Sequence, residues 1–171
     1  MKIRFFYFDI SKYIKNRKLN DTRIIRSYDL LEAAETVKLA YCQYLLSTLN
    51  CDFEENTFGT CDQVLNEVCR IENGEIENYF FEGGELLHYV SRNSVVFEHA
   101  IFGVCTHWPL WSCPLSHYKI GLQAVRDFYA LPESLNSEVV VELPKSDMAQ
   151  ITLFPPKLPE NKSIFGESTI D

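Results

Sequence analysis

Residues 52–85 hold ten acids (Asp52, Glu54, Glu55, Asp62, Glu67, Glu72, Glu75, Glu77, Glu82 and Glu85) against one base, Arg70, a net charge of −9. The whole chain of 171 residues carries −8, so everything outside this stretch sums to +1. Carboxylates this dense repel one another unless they face water or a cation. They are interleaved with Val64, Leu65, Val68, Ile71, Ile76, Tyr79, Phe80 and Phe81. The stretch is therefore not a solvated tail. It must fold with its apolar residues inward and its carboxylates outward, and a folded anionic face suits a basic protein partner.

Local signals inside and around the stretch set the fold class. Val64, Leu65, Val68 and Ile71 share one helical face, Thr60 to Gln63 is a capping pattern, and Asn73-Gly74 is a stop signal. Residues 75–81 and 86–91 are strand-like runs separated by Glu82-Gly83-Gly84-Glu85, a hairpin signal in which both glycines are free to take positive φ. Arg92-Asn93 is a second turn, and residues 94–104 predict a third strand with Val95, Phe97, His99 and Ile101 on one face. Residues 29–50 predict the clearest helix. Asp29 and Glu32 resemble a capping pair, and Leu30, Ala34, Val37, Tyr41, Leu45 and Leu49 form the buried stripe. Residues 117–130 predict a further helix, with Ile120, Ala124, Val125 and Phe128 inward and Leu131-Pro132 at its end. Strands follow at 138–143 and 150–154. The N-terminal residues 2–9, dense in aromatics, suit a strand buried on both faces. The expected fold is α+β: a mostly antiparallel sheet with helices packed on one face.

With 46% apolar and 13% aromatic residues, the chain can build one sizeable core. Residues 1–155 are expected to form a single α+β domain, and 156–171, after Pro155-Pro156, an extended C-terminal arm. No apolar run approaches the roughly 18 residues of a membrane span. The apolar run at Phe5 to Phe8 is too short for a signal peptide, so the expected location is the cytoplasm, away from any membrane. Residues 1–26 carry eight bases and two acids, a net +6. This basic segment reads as a counterweight to the acidic one within the fold. The overall negative sign argues against direct nucleic-acid binding.

Six cysteines lie at 42, 51, 61, 69, 105 and 113. A chain with this much apolar content does not need disulfide staples, and free thiols are expected. Residues 105–117 concentrate chemistry: Cys105, His107, Cys113 and His117 are competent zinc ligands, and Trp108 and Trp111 are competent interface anchors. The spacing C-x-H-x5-C-x3-H fits no zinc module, and Pro109 and Pro114 restrict the loop, so no metal and no cofactor is expected. No flanking pattern singles out a cysteine–histidine pair for nucleophilic catalysis. G-x-G-x-x-G and G-K-[ST] phosphate motifs are absent. Pairs of carboxylates are expected by chance among 24 acids, so none marks a catalytic site.

In its acidic stretch at 52–85, its aromatic-rich single domain and its lack of a catalytic signature, the chain resembles the small acidic immunity proteins that bacteria pair with toxic nuclease domains, including those of contact-dependent growth inhibition. The resemblance implies a non-catalytic, cytoplasmic inhibitor whose acidic face covers a basic toxin cleft. The carboxylates best placed for this are Glu72, Glu75, Glu77, Glu82 and Glu85, beside a helix end and a tight turn, followed by Glu54 and Glu55, with Trp108 and Trp111 as further partner-binding candidates. Two other classes fit the residues: a phage-type inhibitor that mimics nucleic acid, and a metal or cysteine enzyme built on residues 105–117.

Overall fold

The computed structural model describes residues 1–11, 24–53 and 61–145. The fold is α+β and consists of two antiparallel sheets. The first sheet has the order β2-β1-β7, from β1 (Lys2–Asp9), β2 (Ile24–Leu31) and β7 (Glu138–Glu142). The second is the meander β3-β4-β5-β6, from β3 (Asn78–Glu82), β4 (Leu86–Ser91), β5 (Ser94–His99) and β6 (Trp111–Pro114). The helical elements are α1 (Glu35–Tyr41), a π-helical turn (Cys42–Leu46), α2 (Ser47–Cys51), α3 (Cys61–Glu72) and α4 (Leu115–Tyr129).

Helix α4 joins the two sheets. Its Phe128 ring lies 4.9 Å from Tyr7 and 6.0 Å from Phe5, on the first sheet. Its Tyr118 ring lies 5.6 Å from His88 and 6.1 Å from Phe97, on the second. A helix that buries side chains toward both sheets is apolar around most of its girth. Leu115, Tyr118, Leu122, Ala124, Val125 and Phe128 are all buried, and each large side chain contributes roughly 1.5–3 kcal/mol of transfer free energy. Gly121 sits where α4 meets α2 and β1: a Cβ there would lie 2.6 Å from Leu49 Cδ1 and 3.7 Å from Ile3 Cδ1.

Several predicted elements stand with new boundaries. Helix α3 ends as expected: Gly74 has φ 75°, its N–H donates to the Ile71 carbonyl at 3.0 Å, and the Glu75 N–H donates to the Arg70 carbonyl at 2.9 Å. This is a Schellman close. The predicted helix at 29–50 begins only at Glu35, because 29–31 pair with β1 in the register Arg4↔Asp29, Ile3↔Leu30 and Lys2↔Leu31. Asp29 is thus a strand residue paired with Lys38 at 2.7 Å, not a cap. Glu32 turns the chain with φ 58° and pairs with Lys2 at 2.5 Å. The π-helical turn widens the helix and leaves Tyr41, Tyr44, Leu45 and Leu46 buried.

Strand β1 buries one face, through Ile3, Phe5 and Tyr7, rather than both. The third strand stops at His99 and leaves Ile101 outside. The predicted strand at 150–154, the arm at 156–171 and the domain boundary between them lie outside the described residues. All six cysteines are free thiols.

A methyl group at Gly121 must displace the fully buried Leu49 side chain, a repacking cost set against alanine's better helix propensity. Gly121→Ala should therefore destabilise the chain by about 1–3 kcal/mol, read as a lower urea midpoint at an unchanged denaturant slope.

Candidate functional site

Two features meet where β3 turns into β4. The first is a buried polar chain. Asp52 caps the C-terminus of α2, is only 2% exposed, and accepts the Gly84 N–H at 2.9 Å through Oδ1. The Thr48 hydroxyl, one helical turn earlier, donates to Asp52 Oδ2. Thr48 Oγ1 also lies 2.9 Å from His88 Nε2, and His88 Nδ1 lies 2.8 Å from the Tyr118 hydroxyl. With Thr48 donating to the carboxylate, the consistent assignment has His88 Nε2–H donating to Thr48 and Tyr118 donating to Nδ1.

Burial pushes the His88 pKa down to about 3, although Asp52 Oδ2 lies 4.0 Å from Nε2, and keeps the imidazole neutral as this assignment requires. Asp52 is pushed up by desolvation and pulled back by the bonds from Thr48 and Gly84. Tyr118 is raised well above its ordinary value by burial and holds its proton. Threonine, histidine and aspartate are the atom types of a nucleophile–base relay. Here the hydroxyl is buried and already donated to the carboxylate, so the set acts as a structural clasp.

The clasp accounts for the glycine pair. Neither Gly83 nor Gly84 has positive φ, contrary to the turn chemistry the pair suggests. Gly83 is required by clearance: a Cβ there would overlap Asp52 Oδ2 and lie 2.7 Å from the Leu86 carbonyl oxygen. Gly84 brings its N–H to the carboxylate. Sequence reasoning missed Thr48 and His88 and placed Asp52 on the acidic surface. The available signal was the i, i+4 spacing of Thr48 and Asp52 ahead of a Gly-Gly turn.

The second feature is the acidic surface around the turn. Glu72, Glu75, Glu77, Glu82 and Glu85 are all exposed, in two groups at opposite ends of β3, roughly 17 Å apart for a strand of this length. At one end Glu72 pairs with Lys119 at 2.6 Å and Glu75 with Arg70 at 3.4 Å. At the other, Glu82 and Glu85 have no cationic partner among the described residues, and the same holds for Glu77. Glu98, absent from the sequence-based candidates, completes this end: it pairs with Leu87, which pairs with Glu82. The Tyr89 hydroxyl donates to Glu98 Oε2 at 3.0 Å, and burial together with that carboxylate raises Tyr89 to about 12. Glu54 and Glu55 lie outside the described residues.

Residues 105–117 do not form one site. Cys105 and His107 are exposed, while Cys113 and His117 are buried. His117 uses both ring nitrogens, Nδ1 at 2.7 Å from the Tyr41 hydroxyl and Nε2 at 3.1 Å from the Pro144 carbonyl. Burial pushes the Cys113 thiol far up, away from the thiolate that binds metal or attacks carbon. Among the described residues no group of three His, Cys, Asp or Glu is arranged to hold a metal ion. Trp111 is 1% exposed, stacked 5.4 Å from Tyr44. It fills the core and is removed from the candidate anchors. Trp108 is half-buried, 4.5 Å from the His99 ring and edge-on to Tyr44 at 5.9 Å.

The chain matches no family model, no curated protein and no solved structure. Among the described residues no helix is long and apolar enough to cross a membrane.

The clasp should be sensitive to acid. His88 has a folded pKa of about 3 against an ordinary value near 6.5, so the unfolded chain binds the extra proton and stability falls as pH drops through that window. The raised Asp52 works in the opposite direction. Acidification from pH 7 to pH 4 should remove up to about 3 kcal/mol through His88, and His88→Gln should flatten that slope in urea titrations across pH.

Proposed function

We propose that this chain is a non-catalytic binding protein: an immunity protein that acts in the cytoplasm and neutralises a basic toxin domain, of the nuclease kind, through its acidic face. The observation that carries the reading is the trio Glu77, Glu82 and Glu85, exposed carboxylates without cationic partners among the described residues. Ion pairs within the fold already engage Glu67, Glu72, Glu75 and Asp62. Asp52 is withdrawn into the core. What remains is an unneutralised negative surface concentrated at the β3–β4 turn and at Glu77. Such a field attracts a basic partner over about a Debye length and raises the encounter rate. The turn is also held in place by Asp52, so little ordering is required when a partner arrives.

The test pairs the chain with a basic toxin domain, to be sought in the neighbouring genes. Reversing Glu77, Glu82 and Glu85 to lysine should slow stopped-flow association by orders of magnitude and reduce its salt dependence. The melting temperature should hold within a few degrees, because exposed unpaired charges contribute little to stability. An association rate and salt slope unchanged by the triple reversal would reduce the acidic face to a solubility feature.

A further inference from the structure

Beside the acidic turn the usual placement of side chains is inverted. Ile101, Phe102 and Val104 are 76%, 64% and 56% exposed, a cluster of large apolar side chains on one loop just past β5. A soluble surface tolerates single exposed apolar residues, but a contiguous group marks a contact site.

The loop is held rigidly. The Ala100 N–H donates to the Glu85 carbonyl at 2.8 Å, and the Gly103 N–H to the His99 carbonyl at 2.9 Å. The buried His99 accepts the N–H groups of Ile101 and Phe102 at Nδ1, at 3.1 and 3.2 Å. Its ring lies between Phe102, at 4.7 Å, and Trp108, at 4.5 Å. Gly103, at φ 58°, makes the reversal, and Cys105 and Trp108 close the next turn with two backbone bonds, at 3.1 and 3.2 Å.

The surroundings are acidic. Glu85 is bonded to the tip through its backbone, and Glu98 Oε1 would lie 3.8 Å from a Cβ at Gly103. Glu82 stands two strands away from Glu98 in the same row.

We infer that Ile101, Phe102 and Val104 form the apolar anchor of an interface whose rim is Glu82, Glu85 and Glu98, and that its occupant is a protein with an apolar pocket bordered by lysine and arginine. This rests on the acidic-face reading and specifies the partner's chemistry. The charges decide between occupants. An anionic bilayer is repelled by the rim, where membrane-inserting segments carry lysine and arginine. A second copy placed tip to tip by a twofold axis would oppose like charges. A basic protein surface gains from both the apolar centre and the rim, the arrangement of an energetic hot spot.

A random-peptide display library panned against the full chain supplies the probe. The enriched peptides should combine bulky apolar residues with lysine or arginine. By calorimetry the selected peptide should bind Phe102→Ser about tenfold or more weakly than wild type, with Val104→Ser as an independent second variant. Both side chains are exposed, so melting temperatures should hold. Enrichment of peptides without that composition, or equal binding to Phe102→Ser and Val104→Ser, overturns the anchor. If Glu82→Lys with Glu85→Lys weakens the peptide while the tip variants do not, the acidic face stands and the anchor falls. If only the tip variants weaken it, the acidic rim falls. Flotation on phosphatidylserine vesicles, or a dimer by sedimentation, abolished by Phe102→Ser would assign the tip to a membrane or a second copy and also overturn the proposal.

Discussion

A carboxylate taken out of water is destabilising unless its oxygens regain donors. Asp52 meets that demand with the Gly84 N–H and the Thr48 hydroxyl, and the demand then spreads. Thr48 needs a donor in return and takes it from His88, whose other nitrogen takes one from Tyr118. One buried charge thereby fixes α2, the β3–β4 turn, β4 and α4 against one another. The choice of β4 register shows why this matters. Leu86, Leu87, His88 and Val90 are all buried, so both faces of the strand are apolar. Hydrophobic patterning then discriminates poorly against a slip of one residue. The fully buried His88 has partners that a slipped strand would leave unpaired, and the part-buried Tyr89 and Ser91 add bonds to Glu98 and Ser94 that a slip would also break.

The same clasp shapes the surface above it. Glu82 and Glu98 flank Leu87 across three strands, and Glu85 sits on the turn beside them. Like charges in neighbouring rows oppose sheet formation, yet the turn is pinned from below by the Gly84 N–H bond to the buried Asp52. Tyr89 relieves part of the strain by donating to Glu98. The repulsion that remains costs folding free energy, and under the proposed function a basic partner would relieve it on binding.

What was legible in the sequence is what is local. The hairpin at 82–85, the α3 stop at Asn73-Gly74 and the inward residues of α4 each follow from spacing over a few residues. The division into two sheets does not, since β7 reaches β1 across more than a hundred residues of chain. Asp29 shows the competition directly. Its stretch has helical apolar spacing, but pairing with Arg4 and Ile3 wins, because β1 offers a complete ladder of backbone partners. The glycine pair predicts a turn and the structure has one, but the reason is clearance of Gly83 from Asp52 rather than positive φ. Exposed carboxylates at 72–85 were legible as charge. Their separation into two groups was not, because only the extended length of β3 sets them apart.

Two reversals of ordinary burial, a charge inside and aliphatics outside, share one end of the second sheet. Asp52 lies under the turn that carries Glu85, and the Glu85 carbonyl holds the loop that exposes Ile101 and Phe102. Natural sequences keep local rules consistent where folding is the sole requirement, and departures gather where something else is selected. Either reversal alone has a structural account: a buried carboxylate specifies register, and a loop tip tolerates an exposed side chain. Their adjacency has a simpler common account. Under the proposed binding role, a charged rim beside an apolar tip calls for a support that holds its geometry, and a directional polar chain gives that stiffness where apolar packing permits sliding. The physical weight of the fold therefore falls at the turn, between a clasp that holds the surface still and a surface with unneutralised charge and uncovered hydrocarbon.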